Sequence, residues 1–356
     1  MSRTRTFTKR AIFLAVTAVS VYLVIPSIIE VFSSWPELER LRPGSLAIMS
    51  LLILLSLTCF WILLGLCLDS TEWMLMAMSQ LASSAVARIV PGGAATATAV
   101  QYRLIKDAGV SASDAATGLT VVTILNFAVL FSLPVFSVPA ILFGPPVAPL
   151  LLRAALAGVI GFVAVAIVSG VVFLKNRPLE LLGRSVDATA RRMGRFDPSA
   201  TPRSTRFLES RDLIRTNLAT KWKRVLLASL GKWGFEYFAL VMAVRGVGHD
   251  DLSSILLLAF VAASLLSRIP FTPGGLGFVE AGLTGTLVLA GLSTGDAVLA
   301  TLAYRLVSYW FPIPFGALAY GVHRRRLHTR GVEIESLPEL GEHELERSRS
   351  AANQVA

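Results

Sequence analysis

Arg268-Ile269-Pro270-Phe271-Thr272-Pro273-Gly274-Gly275-Leu276-Gly277-Phe278-Val279-Glu280-Ala281 lies inside an apolar stretch that otherwise runs from Ser253 to Leu292. Proline removes a backbone donor and glycine admits left-handed backbone, so no regular helix runs through Pro273-Gly274-Gly275. A second apolar stretch, Glu72 to Ala108, is broken in the same way at Pro91-Gly92-Gly93. At membrane depth, irregular backbone is tolerated only where it is buried in protein or lines a cavity. Each break therefore predicts a site or a gate.

The chain around these breaks is apolar. Of its 356 residues, 54% are hydrophobic and 16% charged, against roughly 45–50% and about 25% in soluble domains. Mean hydropathy is +0.66. This composition excludes a water-soluble globule, a coiled coil and a disulfide-stapled secreted domain. The net charge of +10 is concentrated in two places. Arg3, Arg5, Lys9 and Arg10 precede the first apolar stretch, and Lys175–Arg224 holds 13 bases against 5 acids. The surplus records membrane orientation through the positive-inside bias and gives no support to a nucleic-acid partner.

A spanning helix needs roughly 20 mostly apolar residues. Ala11–Phe32, Ser45–Leu68, Ala112–Phe136, Leu150–Leu174, Val225–Val244 and Ala297–Val322 meet that need. The expected fold is all-α and polytopic, with about six full spans plus two broken, re-entrant helical hairpins. The basic segments place the N-terminus, the loop 175–224 and the C-terminus in the cytoplasm, the membrane being the plasma (inner) membrane. The transmembrane domain is expected over 1–326, followed by a disordered cytoplasmic tail at 327–356.

The two breaks belong to an internal repeat. A shift of 182 residues superposes them and gives nine identities in the 25 positions from Pro91 to Ala115. Among these, Ala108-Gly109 pairs with Ala290-Gly291, Ser111 with Ser293, and Asp114-Ala115 with Asp296-Ala297. Upstream, a shift of 180 pairs Arg88-Ile89 with Arg268-Ile269. Repeat one covers about 45–136 and repeat two about 225–322. The orientation scheme makes them inverted copies, a pattern that points to a transport-type site between the halves.

Ionisable residues inside a membrane are costly and usually face an interior or a water-filled cavity. Arg88 and Arg268 precede the two breaks, and a guanidinium fork suits phosphate. With the helix starts after Pro91-Gly92-Gly93 and Pro273-Gly274-Gly275, they describe an anion cradle in each half. The competing reading is that each Arg caps the carbonyls ending its own helix. Glu280, two turns past Pro273, has Arg305 as a partner in the next span. Lys232 and Glu236 are four apart and suit a local pair. Either acid serves as a structural brace or as a proton-coupling group. Arg103 and Lys106 read as interface charges near lipid phosphates. Asn126 and the cluster Tyr304, Tyr309, Trp310, Phe311 read as packing and interface anchors. Cys59 and Cys67 cannot build a metal site, and no cofactor motif or catalytic signature is present.

Arg268–Ala281 resembles the signature of the lysylphosphatidylglycerol synthase transmembrane region, also called the flippase-like domain. Ala290-Gly291-Leu292-Ser293, Tyr304-Arg305, Tyr309-Trp310-Phe311-Pro312 and Gly316 continue the likeness, as do Arg88–Gly93 and Gln101-Tyr102-Arg103. The resemblance covers roughly Ala11–Arg326. It implies a multispanning inner-membrane protein, whose best-known members move an aminoacylated phospholipid between leaflets. Those members add a soluble C-terminal aminoacyl-transferase domain. Here the sequence stops about 30 residues past Arg326, so the expectation is a non-enzyme lacking that domain. One departure stands out: where family members often carry a Glu-Arg pair in the first half, this chain has Val122-Thr123.

The expected function is therefore binding or translocation of an anionic amphiphile, a phospholipid or a polyprenyl-phosphate-linked intermediate, with membrane lipids as partners. The alternative is a non-transporting membrane partner of a cell-envelope enzyme. An intramembrane lipid-modifying enzyme is disfavoured, because no nucleophile accompanies Glu280.

Overall fold

The computed structural model describes residues 41–89, 93–143, 203–250, 254–267 and 273–329, with isolated positions at 38, 160, 163 and 167. The expected span at 11–32, nearly all of that at 150–174, the loop segment 175–202 and the tail from 330 lie outside the described residues. So do Pro91, Gly92 and Arg268. The described residues form helices and turns, with no strand among them.

Helix α1 (Ser45–Leu68) has 24 residues and no charge before its C-cap at Asp69. It is apolar on every side. Met49, Ile53, Leu63 and Leu64 are buried, whereas Ile48, Leu51, Leu55 and Ile62 are exposed. A helix with that surface suits lipid outside and protein inside. Ser45–Leu68, Asp114–Leu133 and Thr220–Gly246 are the three described helices long and apolar enough to cross a membrane.

Around the first break stand α2 (Trp73–Ile89) and α3 (Gly93–Asp107). The first half ends with α4 (Ala112–Phe143), which runs seven residues beyond the expected end at Phe136. The second half opens with α5 (Arg203–Gly246). Residues 203–224 were expected to belong to a loop, yet they continue the span as helix. Pro202 marks the start, and neither Pro nor Gly occurs again before Gly231, so nothing stops propagation.

The second broken stretch gives α6 (Ser254–Leu266), a 3₁₀ turn at Pro273–Gly275, and α7 (Phe278–Leu289). Then comes α8 (Thr294–Arg305), a π-helical turn at Leu306–Trp310, and α9 (Pro312–Thr329). One unbroken span was expected over Ala297–Val322. The π turn interrupts it because Pro312 has no N–H to give the Ser308 carbonyl, and Phe311 N–H instead bonds Leu306 O at 3.0 Å.

The two halves repeat the same local structure. Ser111 Oγ accepts from Asp114 N at 3.1 Å and donates to Asp114 Oδ2 at 2.6 Å, capping α4. Ser293 and Asp296 cap α8 in the same way, at 3.2 and 2.7 Å. The preceding turns pass through Gly109 at φ 99° and Gly291 at φ 103°.

Packing also follows an exchange of halves. Helix α1 lies along α5, its counterpart. Helix α2 packs on α9, and α6 packs on α4, so each half lays its second helix on the other's last. At the α2–α9 crossing a Cβ on Gly316 would stand 2.4 Å from Leu81 O, so only glycine fits. The main core joins Met49 and Ile53 of α1 to Trp233 and Leu240 of α5, Phe260 of α6, and Leu283 and Leu287 of α7. A smaller core gathers Leu63, Leu64, Met76, Ile105 and Leu119 of the first half with Val225 and Ala228 of α5.

Candidate functional site

A cavity of about 320 Å³ lies between the halves, with walls from α1, α2 and α4 on one side and α5 to α8 on the other. Equivalent repeat positions both contribute to its wall: Ser84 and Ser264, Asn126 and Ser308. Its charges come from Arg88, Lys232, Glu236 and Arg305.

Arg88 closes the last turn of α2. Its Nη1 donates to Ser84 O at 3.1 Å, and its Nη2 to Ser308 O at 3.2 Å. The second acceptor is the carbonyl that Pro312 leaves without a helical donor. In return, the Tyr309 hydroxyl donates to Arg88 O at 2.6 Å, satisfying a carbonyl at the helix end. The capping reading of Arg88 is thus realised, and the side chain also lines the cavity.

Tyr309 connects the end of α2 with the second break. Arg88 lies 5.8 Å and Arg305 4.3 Å from its ring centre. Gly274 backs onto the ring so closely that a Cβ would stand 2.3 Å from Cε2. Gly274 also has φ 55° and Gly275 φ 75°, the left-handed region that lets the chain turn between α6 and α7. Pro273 opens that turn.

Two ion pairs complete the charge pattern. Arg305 Nε donates to Glu280 Oε1 at 2.6 Å, with side-chain exposures of 7% and 25%. The other Glu280 oxygen, Oε2, accepts from Gly277 N at 2.8 Å. Glu280 therefore sits in the first turn of α7 and not two turns in, because the glycine-rich turn delays the helix start to Phe278. The N–H that an anion would meet at this helix start is taken by the chain's own carboxylate. Lys232 Nζ meets Glu236 Oε2 at 2.7 Å and lies 3.1 Å from the Trp233 ring centre. Arg88 lacks a carboxylate partner among the described residues.

Arg88, Gly274, Lys232, Glu236 and Arg305 thus gather at one cavity, with Glu280 behind Arg305. Arg103 and Lys106 do not line it. Arg103 pairs with Asp107 on α3 at 3.5 Å, and Lys106 is exposed. Gly93 opens α3. No group of three metal-ligating side chains occurs among the described residues.

Tyr304, Tyr309 and Asn126, which read as packing residues and anchors in the sequence, all line the cavity. Trp233 donates to Asn126 O at 3.0 Å. So the paired positions Asn126 and Ser308 each receive a side-chain hydrogen bond from the opposite half. The signals were the 182-residue register and a proline four residues after Ser308.

This is a multi-pass helical membrane protein with a polar cavity between two repeated halves. The chain belongs to the lysylphosphatidylglycerol synthase TM region family, whose sequence profile matches residues 10–316. It is similar to a UPF0104 membrane protein of Methanocaldococcus jannaschii, 39% identical over 67 residues, which is 19% of this chain and 29% of that one. A UPF0104 membrane protein of Methanothermobacter thermautotrophicus is 30% identical over 91 residues, 26% of each chain. The matches thus span less than a third of these relatives' length.

Proposed function

We propose that this protein binds the anionic headgroup of an amphiphile in the cavity between its halves and carries it across the plasma membrane. The observation that supports this is the charge balance. Lys232 and Arg305 are paired with Glu236 and Glu280, while Arg88 hydrogen-bonds only to carbonyls and has no ion-pair partner among the described residues. A half-buried guanidinium without an ion-pair partner is costly, and a bound phosphate relieves that cost. Helices α6 and α7, at 13 and 12 residues, extend only about 20 Å each, less than the hydrocarbon core of about 30 Å. They act in this reading as a re-entrant hairpin in one of two inverted repeats, with the N- and C-termini in the cytoplasm. The protein itself catalyses no covalent step.

The test is native mass spectrometry of the full chain purified with its own lipids. Wild type is expected to carry a phosphate-containing amphiphile, and Arg88→Gln to lose most of it while keeping its fold. Equal retention by both proteins sinks the proposal. So does a wild type free of lipid but bound to an envelope enzyme, the result expected of a membrane scaffold.

A further inference from the structure

We infer that the group bound beyond the phosphate is an uncharged polyol, a sugar or cyclitol. This rests on the anion reading above. Asn126 is 8% exposed, and its Oδ1 is buried with no hydrogen-bond partner among the described residues. Its backbone carbonyl is the atom that takes the Trp233 bond, so the carboxamide itself is uncommitted. Ser264, also in the cavity wall, contributes its carbonyl to Ser267. Its own hydroxyl donates to none of the described residues. A carboxamide both donates and accepts, and so does a hydroxyl. Groups of that kind match ligand hydroxyls, which also do both.

The other surfaces of the cavity argue against a cationic headgroup. Each carboxylate beside it is already paired, Glu236 with Lys232 and Glu280 with Arg305. Two of the four aromatic rings in the wall, Trp233 and Tyr309, carry the chain's own cations. Lys232 lies over Trp233, and both Arg88 and Arg305 lie over Tyr309. An ammonium entering here would meet three positive groups and no unpaired carboxylate. A neutral, hydroxyl-bearing group meets the uncommitted carboxamide and serine. The cavity, about 320 Å³, falls at the small end of ligand pockets, roughly 300–1,000 Å³.

The experiment uses two phosphodiester lipids of equal charge and identical acyl chains, phosphatidylinositol and phosphatidylethanol. Each is titrated into the purified full chain and read by native mass spectrometry. Wild type is expected to hold phosphatidylinositol about tenfold more tightly, the value of roughly one net hydrogen bond. Asn126→Leu and, independently, Ser264→Ala are expected to shrink that ratio while leaving phosphatidylethanol unchanged. Arg88→Gln weakens both lipids together. Equal wild-type affinities for the two lipids overturn the polyol inference, and Arg88 dependence of both then still supports the anion reading. A preference that survives both Asn126→Leu and Ser264→Ala also overturns it. Binding of neither lipid by wild type, or binding of both without regard to Arg88, overturns the two readings together.

Discussion

Tyr309 ties the end of α2 to the turn between α6 and α7, with its hydroxyl on Arg88 O and its ring against Gly274. Gly274→Ala must push that ring aside and place a side chain at φ 55°. The expected loss is about 2 kcal/mol of stability, seen as a lower midpoint for thermal unfolding in detergent. An unchanged midpoint would mean that the ring and the turn do not pack as described. The charged part of this site was legible, because Arg88, Lys232, Glu236, Glu280 and Arg305 stand out in apolar helices. The neutral part was not. A tyrosine or an asparagine in such a helix is most often packing, and Tyr309 meets Arg88 221 positions away. Sequence spacing carries no trace of that distance.

At the scale of the helix, the paired caps give a sharper expectation. Ser111→Ala and Ser293→Ala each remove the side-chain acceptor of a helix N-terminus. Each is expected to cost about 1 kcal/mol, and the double variant about the sum, because the two sites share no partner. Thermal unfolding of the three variants checks this, and a large effect at one cap alone would break the equivalence of the halves. The helix breaks were legible because proline and glycine announce them locally. The length of α5 was not, because its charges suggested a loop although nothing in residues 203–230 breaks a helix. The π turn lay between these cases: Pro312 signalled a missing donor, but not the arginine that takes the vacated carbonyl.

Across the whole molecule, α1 and α5 form the seam between the halves, where Ser56 Oγ donates to Lys232 O at 2.9 Å. A Cβ on Gly231 would lie 3.6 Å from Cys59 Cβ, within the disulfide range of about 3.5–4.5 Å. Gly231→Cys, with Cys67→Ser to remove the other thiol, is expected to crosslink to Cys59 on oxidation. A faster-running band on a non-reducing gel, reversed by reductant, is the readout, and its absence would contradict this seam. The repeat was legible from aligned identities, but the crossing of α2 onto α9 and α6 onto α4 was not, since no local pattern encodes it. That crossing joins unlike partners. The position matching Tyr309 is Phe127, and the position matching Pro312 is Leu130. A protein assembled from two first halves would set a ring without a hydroxyl against Arg88 O, and a carbonyl already bonded within its helix against the guanidinium. The two copies fit as lock and key at this contact, and neither supplies there what its twin does.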